Sequence, residues 1–228
     1  MDEILYKLSI FALPLLFAVT VHEAAHGWMA EKLGDGTARM LGRVTLNPLR
    51  HIDPVGTVVV PIAVYLLSGF IFGWAKPVPV NWNNLRNTRR DVALVSLAGP
   101  GANFLMALIW ALLIYLGLWI FNSLEWVARP LIYMGVAGVL INAILMALNL
   151  LPVPPLDGGR VVYSLLPPKM AQVYSRLEPY GLFIVVLLLA TGLLGMILWP
   201  LVGLTISILP ATDIVTQLVP VILSPARS

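Results

Sequence analysis

Five long apolar runs, parted by short polar intervals, dominate the chain at about residues 8–29, 55–72, 92–121, 131–151 and 182–199. Runs of this length predict helices that cross a bilayer. Beyond Pro200 the apolar stretches 201–209 and 214–223 are shorter. They predict a broken final span, a re-entrant element or interfacial helices. The expected fold is an all-α polytopic membrane protein with about five to six membrane segments.

The polar intervals constrain the path. Residues 30–54 carry Lys32, Arg39, Arg43 and Arg50, while residues 73–91 carry Lys76, Arg86, Arg89 and Arg90. A single crossing by 55–72 would put these two basic intervals on opposite sides of the membrane, against the usual bias of basic loops toward the cytoplasm. A run that enters and returns keeps both cytoplasmic, with Gly69, Gly73, Pro77 and Pro79 breaking any single long helix. An ordinary span that violates the bias is the competing path. The prolines predict that 74–80 is extended, and unpaired backbone at membrane depth must line a cavity enclosed by protein.

Composition narrows the class. Of 228 residues, 59% are hydrophobic and 11% charged, too few polar groups to clothe a soluble domain of this size. The formal charge of +3 comes from basic residues beside apolar runs, where topology and anionic headgroups account for them without nucleic acid. The absence of cysteine excludes thiolate ligands, a cysteine nucleophile and disulfides. Asp2 and Glu3 precede the first run, which leads straight into ionisable residues; a mature helix is expected there, not a signal peptide.

Those ionisable residues are His22-Glu23-Ala24-Ala25-His26. Two histidines four apart share one helix face and can hold one metal ion, with the intervening glutamate placed as general base. Ionisable groups inside an apolar segment are costly and usually functional. A polar patch that packs helices or relays protons is the competing reading. Hydrolytic zinc takes three protein ligands and leaves one position open. His51 and Asp157 are the candidates for the third. Asp157 follows the fourth run directly, after Pro152, Pro154 and Pro155 and before Gly158 and Gly159. The returning path also brings it to the side where His22 and His26 emerge. A cap or turn role for Asp157 remains the alternative.

Taken together, His22-Glu23-Ala24-Ala25-His26 and Asn149-Leu150-Leu151-Pro152-Val153-Pro154-Pro155-Leu156-Asp157-Gly158-Gly159 resemble the site-2 protease family of intramembrane zinc metalloproteases, in its compact prokaryotic form. Gly99-Pro100-Gly101-Ala102-Asn103 and the 47–56 and 73–80 stretches extend the likeness. The resemblance implies His22, His26 and Asp157 as ligands of one Zn2+ and Glu23 as the catalytic glutamate. It implies Asn149 as a residue beside the substrate, expected to orient its amide or stabilise developing oxygen charge. One membrane-embedded domain is expected over 1–228, with a catalytic core over about 8–166 and further membrane segments over about 180–223. Substrates would be transmembrane helices of other proteins, cut from a multi-pass enzyme in the cell membrane whose site opens to the cytoplasm. The interhelical loops are too short for a PDZ-like or CBS-like domain. A metal or proton transporter, or a non-catalytic membrane scaffold, is the alternative function.

Overall fold

The computed structural model describes residues 2–59 and 76–223. Its helices are α1 (Asp2–Lys32), α2 (Thr37–Met40), α3 (Thr88–Ile120), α4 (Glu125–Asn149), α5 (Asp157–Leu165), α6 (Pro168–Ser175), α7 (Gly181–Ala190), α8 (Leu193–Ser207) and α9 (Thr212–Leu223). The described residues contain no strand. Four segments are long and apolar enough to cross a membrane: Leu8–Lys32, Thr88–Ile120, Glu125–Asn149 and Pro168–Ala190, with α8 and α9 as shorter apolar helices. The protein is an all-α polytopic membrane protein.

Contacts between helices set their directions. Asn103 of α3 bonds to Ala18 and His22 of α1, and Val95 bonds to His26, so α1 and α3 are antiparallel. Asn103 also meets Asn142, and farther along α3 Trp110 lies against Gly138 and Gly117 against Ile132, so α3 and α4 are antiparallel as well. Small residues at these crossings let the backbones approach closely, as membrane helices require in the absence of a hydrophobic drive between them. The end of α1, the start of α3 and the end of α4 therefore share one end of the bundle. That is the arrangement expected from a returning path, although most of the 55–72 run lies outside the described residues; its first part, Pro54–Val59, forms a π-helical turn.

The core lies between α3 and α4. Ala107, Trp110, Ile114, Val136, Val139 and Ala143 are buried there, and Val202, Ile206 and Val215 from α8 and α9 pack against them. The C-terminal region differs from expectation. A single run over 182–199 with a break at Pro200 was expected; instead the chain breaks between α7 and α8, and Pro200 lies inside α8. Gly192 adopts φ +76°, a left-handed conformation that ends a helix at no steric cost to glycine. A proline removes one backbone hydrogen bond and bends a helix, which membrane helices tolerate.

Candidate metal centre

His22 and His26 lie on one face of α1 near its end, with Nε2 atoms 3.0 Å apart. The Oδ2 atom of Asp157 lies 3.3 Å from each of them. Prolines 152, 154 and 155 prevent α4 from continuing, and α5 starts at Asp157 itself, so the carboxylate occupies the first helical turn. The turn folds tightly: a Cβ at Gly159 would stand 2.5 Å from Pro154 N, and one at Gly158 would strike the carbonyl of Leu150. A Cβ at Gly99 of α3 would stand 2.6 Å from Cε1 of both imidazoles. Only glycine lets α3 pass this close to the two histidines.

The donor set fits a metal ion. His26 Nδ1 lies 2.7 Å from the carbonyl of Val95, which can only accept, so the neutral ring carries its proton on Nδ1 and presents a lone pair at Nε2. His22 Nδ1 is held 2.6 Å from Asn103 Oδ1 in the same way. Three acceptor atoms thus converge, and Asp157 Oδ2 is buried without a hydrogen-bond donor. Such a cluster is repulsive until a cation or a proton enters it. Ligand atoms bound tetrahedrally at about 2.0–2.2 Å sit roughly 3.3–3.6 Å apart, close to the spacings found. A metal ion bound here would take Asp157 as the ionised carboxylate.

A cleft of about 320 Å³ opens on this cluster. Glu23, Val78, Asn149 and Arg160 are among its walls. Residues 76–81 lie in neither helix nor sheet, as the prolines predict. Three side chains from earlier in the chain hold this segment. Arg43 donates to the carbonyls of Lys76 and Pro77 at 2.9 and 3.4 Å. Glu23 Oε2 accepts from Val78 N at 2.7 Å, and Asp35 accepts from Asn81 N at 2.8 Å. Backbone at the wall of a membrane cavity is thereby given polar partners. Asn149 faces the cleft with one amide N–H donated back to Leu145 O at 3.0 Å. The Arg160 guanidinium stacks on Trp82, 4.8 Å from the ring centroid.

All of the expected site residues meet in this cleft except His51. Its Nε2 donates toward Thr45 O at 3.0 Å, it is buried away from the cluster, and it does not line the cleft. Sequence reasoning missed the roles of Asn103, Val95, Val78, Arg43 and Asp35. Asn103 alone had a readable signal, as a polar residue within the third apolar run, where it figures only in the likeness carried by Gly99–Asn103.

The pattern of Peptidase family M50 matches residues 10–192. The chain is 37% identical over 208 residues to the Bacillus subtilis protein named "Putative zinc metalloprotease YwhC", covering 89% of this chain and 92% of that one. It is 32% identical over 183 residues to "Putative zinc metalloprotease Rip2" of Mycolicibacterium smegmatis, and 30% identical over 182 residues to the protein of that name in Mycobacterium tuberculosis H37Rv. Each of these two alignments covers 79% of this chain and 66% of the relative. No solved structure matches. Because the match runs from the first helix through the turn that bears Asp157, and the histidine–aspartate cluster lies within it, the chain belongs to peptidase family M50, the site-2 type of zinc metalloprotease.

Proposed function

We propose that this protein is an endopeptidase that hydrolyses peptide bonds in or beside the transmembrane helices of other membrane proteins, using one zinc ion held by His22, His26 and Asp157. The observation that carries this reading is the convergence of three acceptor atoms beside Glu23 in a cleft at one end of the bundle.

When bound, zinc supplies the Lewis acid, polarising the scissile carbonyl and making water acidic enough to lose a proton near neutral pH. Glu23 accepts that proton at its carboxylate and returns it to the leaving amine. Val78 N–H holds Glu23 Oε2, which leaves Oε1 for the transfer. Asn149 uses its free oxygen to accept a main-chain N–H of the unwound substrate, or its second amide hydrogen to steady developing charge. A metal or proton transporter would need polar groups to continue along the bundle. Past Asn142 the described core is Trp110, Ile114, Ile132 and Val136, which favours hydrolysis over transit.

Five to six membrane segments form one domain over 1–228 in this reading, with the catalytic core over about 8–166. The site end faces the cytoplasm, because Lys32, Arg39, Arg43, Arg86, Arg89 and Arg90 flank the helix ends gathered there. Single cysteines at positions 39 and 89 of this cysteine-free chain should both be labelled from the cytoplasmic face; labelling from opposite faces would refute the path. For the chemistry, purified protein in bilayers should cleave a candidate membrane substrate and stop when zinc is chelated. Glu23→Gln should keep its zinc and lose turnover by about 10²–10⁴-fold. Cleavage that persists after verified metal removal would sink the mechanism.

A further inference from the structure

We propose that Asn103 and Asn142 are positioning residues for the metal centre: a two-asparagine relay, anchored on main-chain carbonyls, that admits a single tautomer of His22 and thereby sets metal affinity. The proposal rests on the reading of His22 as a zinc ligand.

Both asparagines are fully buried in the middle of the bundle. The carbonyl of Ala18 on α1 lies 3.2 Å from one terminal atom of the Asn103 amide. A carbonyl can only accept, so that atom is Nδ2, and the other terminal atom, 2.6 Å from His22 Nδ1, is the oxygen. Asn142 repeats the logic. Its Nδ2 donates to Gly138 O at 2.8 Å, which leaves its Oδ1 to accept the second N–H of Asn103 at 2.9 Å. Turning Asn103 over would set its oxygen against Ala18 O and against Asn142 Oδ1, both acceptors. Turning Asn142 over would set oxygen against Gly138 O and nitrogen against nitrogen.

One orientation of the two amides therefore satisfies the whole chain of groups, and it admits only the neutral tautomer of His22 with hydrogen on Nδ1 and the lone pair on Nε2. That lone pair is the one directed at His26 Nε2 and Asp157 Oδ2. Partners on the far side of a ligating imidazole fix its tautomer and ring orientation. Here the nearer partner is itself oriented by a residue on another helix that touches no ligand. In an apolar interior the wrong orientation has no water to repair it. The same α4 helix carries Asn149 seven residues after Asn142, on the same face, and then leads into the turn that delivers Asp157. Through the relay, one helix registers His22, Asn149 and Asp157 together.

The test uses full-length protein in detergent micelles, with zinc affinity measured by competition against a chromogenic chelator. Imidazole nitrogen NMR is recorded on metal-free protein labelled at its 3 histidines. Asn103→Ala should weaken zinc binding by about 10–100-fold and replace the single His22 tautomer with a mixture. Asn142→Leu, of the same branched shape and in contact with no proposed ligand, should weaken zinc several-fold and mix the tautomers in the same sense. The double variant should bind zinc no more weakly than Asn103→Ala, because both changes break one relay. Folded single variants with parental zinc affinity and an unmoved His22 tautomer would overturn the proposal. So would losses that simply add, or a drop in thermal stability alone. A parent protein that takes up no zinc would overturn the metal reading instead, and the tautomer spectra would still decide the relay.

Discussion

The bundle of α1, α3 and α4 and the C-terminal helices α7, α8 and α9 place their polar side chains in opposite ways. In the bundle, polar groups bond across helices: His22 to Asn103, Asn103 to Asn142, His26 to the Val95 carbonyl. In the C-terminal helices the hydroxyls fold back on their own backbone. Thr191 donates to Leu187 O, Thr205 to Leu201 O and Thr216 to Thr212 O. A bond across helices selects one rotation and one register for each partner. A bond to the preceding turn satisfies a hydroxyl in apolar surroundings and selects nothing. The outward faces agree, since Met196 is 73% and Leu204 64% exposed on α8, a surface suited to lipid. Unique geometry is built where chemistry needs it. Elsewhere apolar burial against α4, helped by Tyr115 Oη accepting from Ala211 N, is enough.

The largest effect that would break this contrast is loss of a proposed ligand. Asp157→Ala should abolish zinc retention and cleavage, whereas His51→Ala should keep both, because His51 bonds to Thr45 O away from the cluster. Zinc content and cleavage of the two purified variants check this. A zinc-bound Asp157→Ala beside a zinc-free His51→Ala would exchange their roles.

Glycine substitutions give the next largest difference. Gly99→Ala places a methyl against both imidazoles and should cost about 1–3 kcal/mol, with weakened zinc binding. Gly203→Ala in α8 meets nothing within 4 Å and should be neutral or stabilising by up to about 1 kcal/mol. Thermal unfolding of the two variants under one condition sharpens the comparison. Equal losses would show that the two regions are packed alike.

The smallest effect is electrostatic and lies outside the spans. Burial pushes the Asp35 carboxyl upward, but hydrogen bonds from the Thr37 hydroxyl, the Asn84 amide and the N–H groups of Asn81 and Thr37 hold it below its ordinary value of 3.8. Its folded pKa is depressed, so its contribution to stability is fully present above 3.8 and is lost as pH falls through the lower folded value. Asp35→Ala should cost about 1–3 kcal/mol at neutral pH by leaving those donors unpaired. It should also flatten the acid limb of the stability curve, read from unfolding midpoints across pH. An unchanged acid limb would show that Asp35 does not tie the extended segment to α1.

Much of the site was legible because its signals are local. The spacing of His22 and His26 is a property of any α-helix, and the prolines before Asp157 must end a helix wherever they occur. That the end of α1 and the start of α3 share one end of the bundle was legible through charge, since basic intervals report on topology without reference to packing, while the run between them lies outside the described residues. The break at Gly192 was misread. Pro200 is the stronger breaker by propensity, yet inside a packed membrane helix its missing N–H is tolerated, while a glycine at left-handed φ ends the turn.

The sequence by itself determined the membrane class, the paired histidines, the adjacent glutamate and the turn that presents Asp157, because each depends on side-chain type and on spacings shorter than a few helical turns. Only the tertiary structure decided that Asn103 faces His22 across 81 residues of chain, that Val78 N–H meets Glu23 across 55, and that Arg43 and Asp35 hold the extended wall of the cleft. The physical reason is register. Which residue on one helix lies opposite which on another follows from how Trp110, Ile114, Gly135 and Gly138 fit together along the whole α3–α4 contact, and no local window of the chain contains that sum.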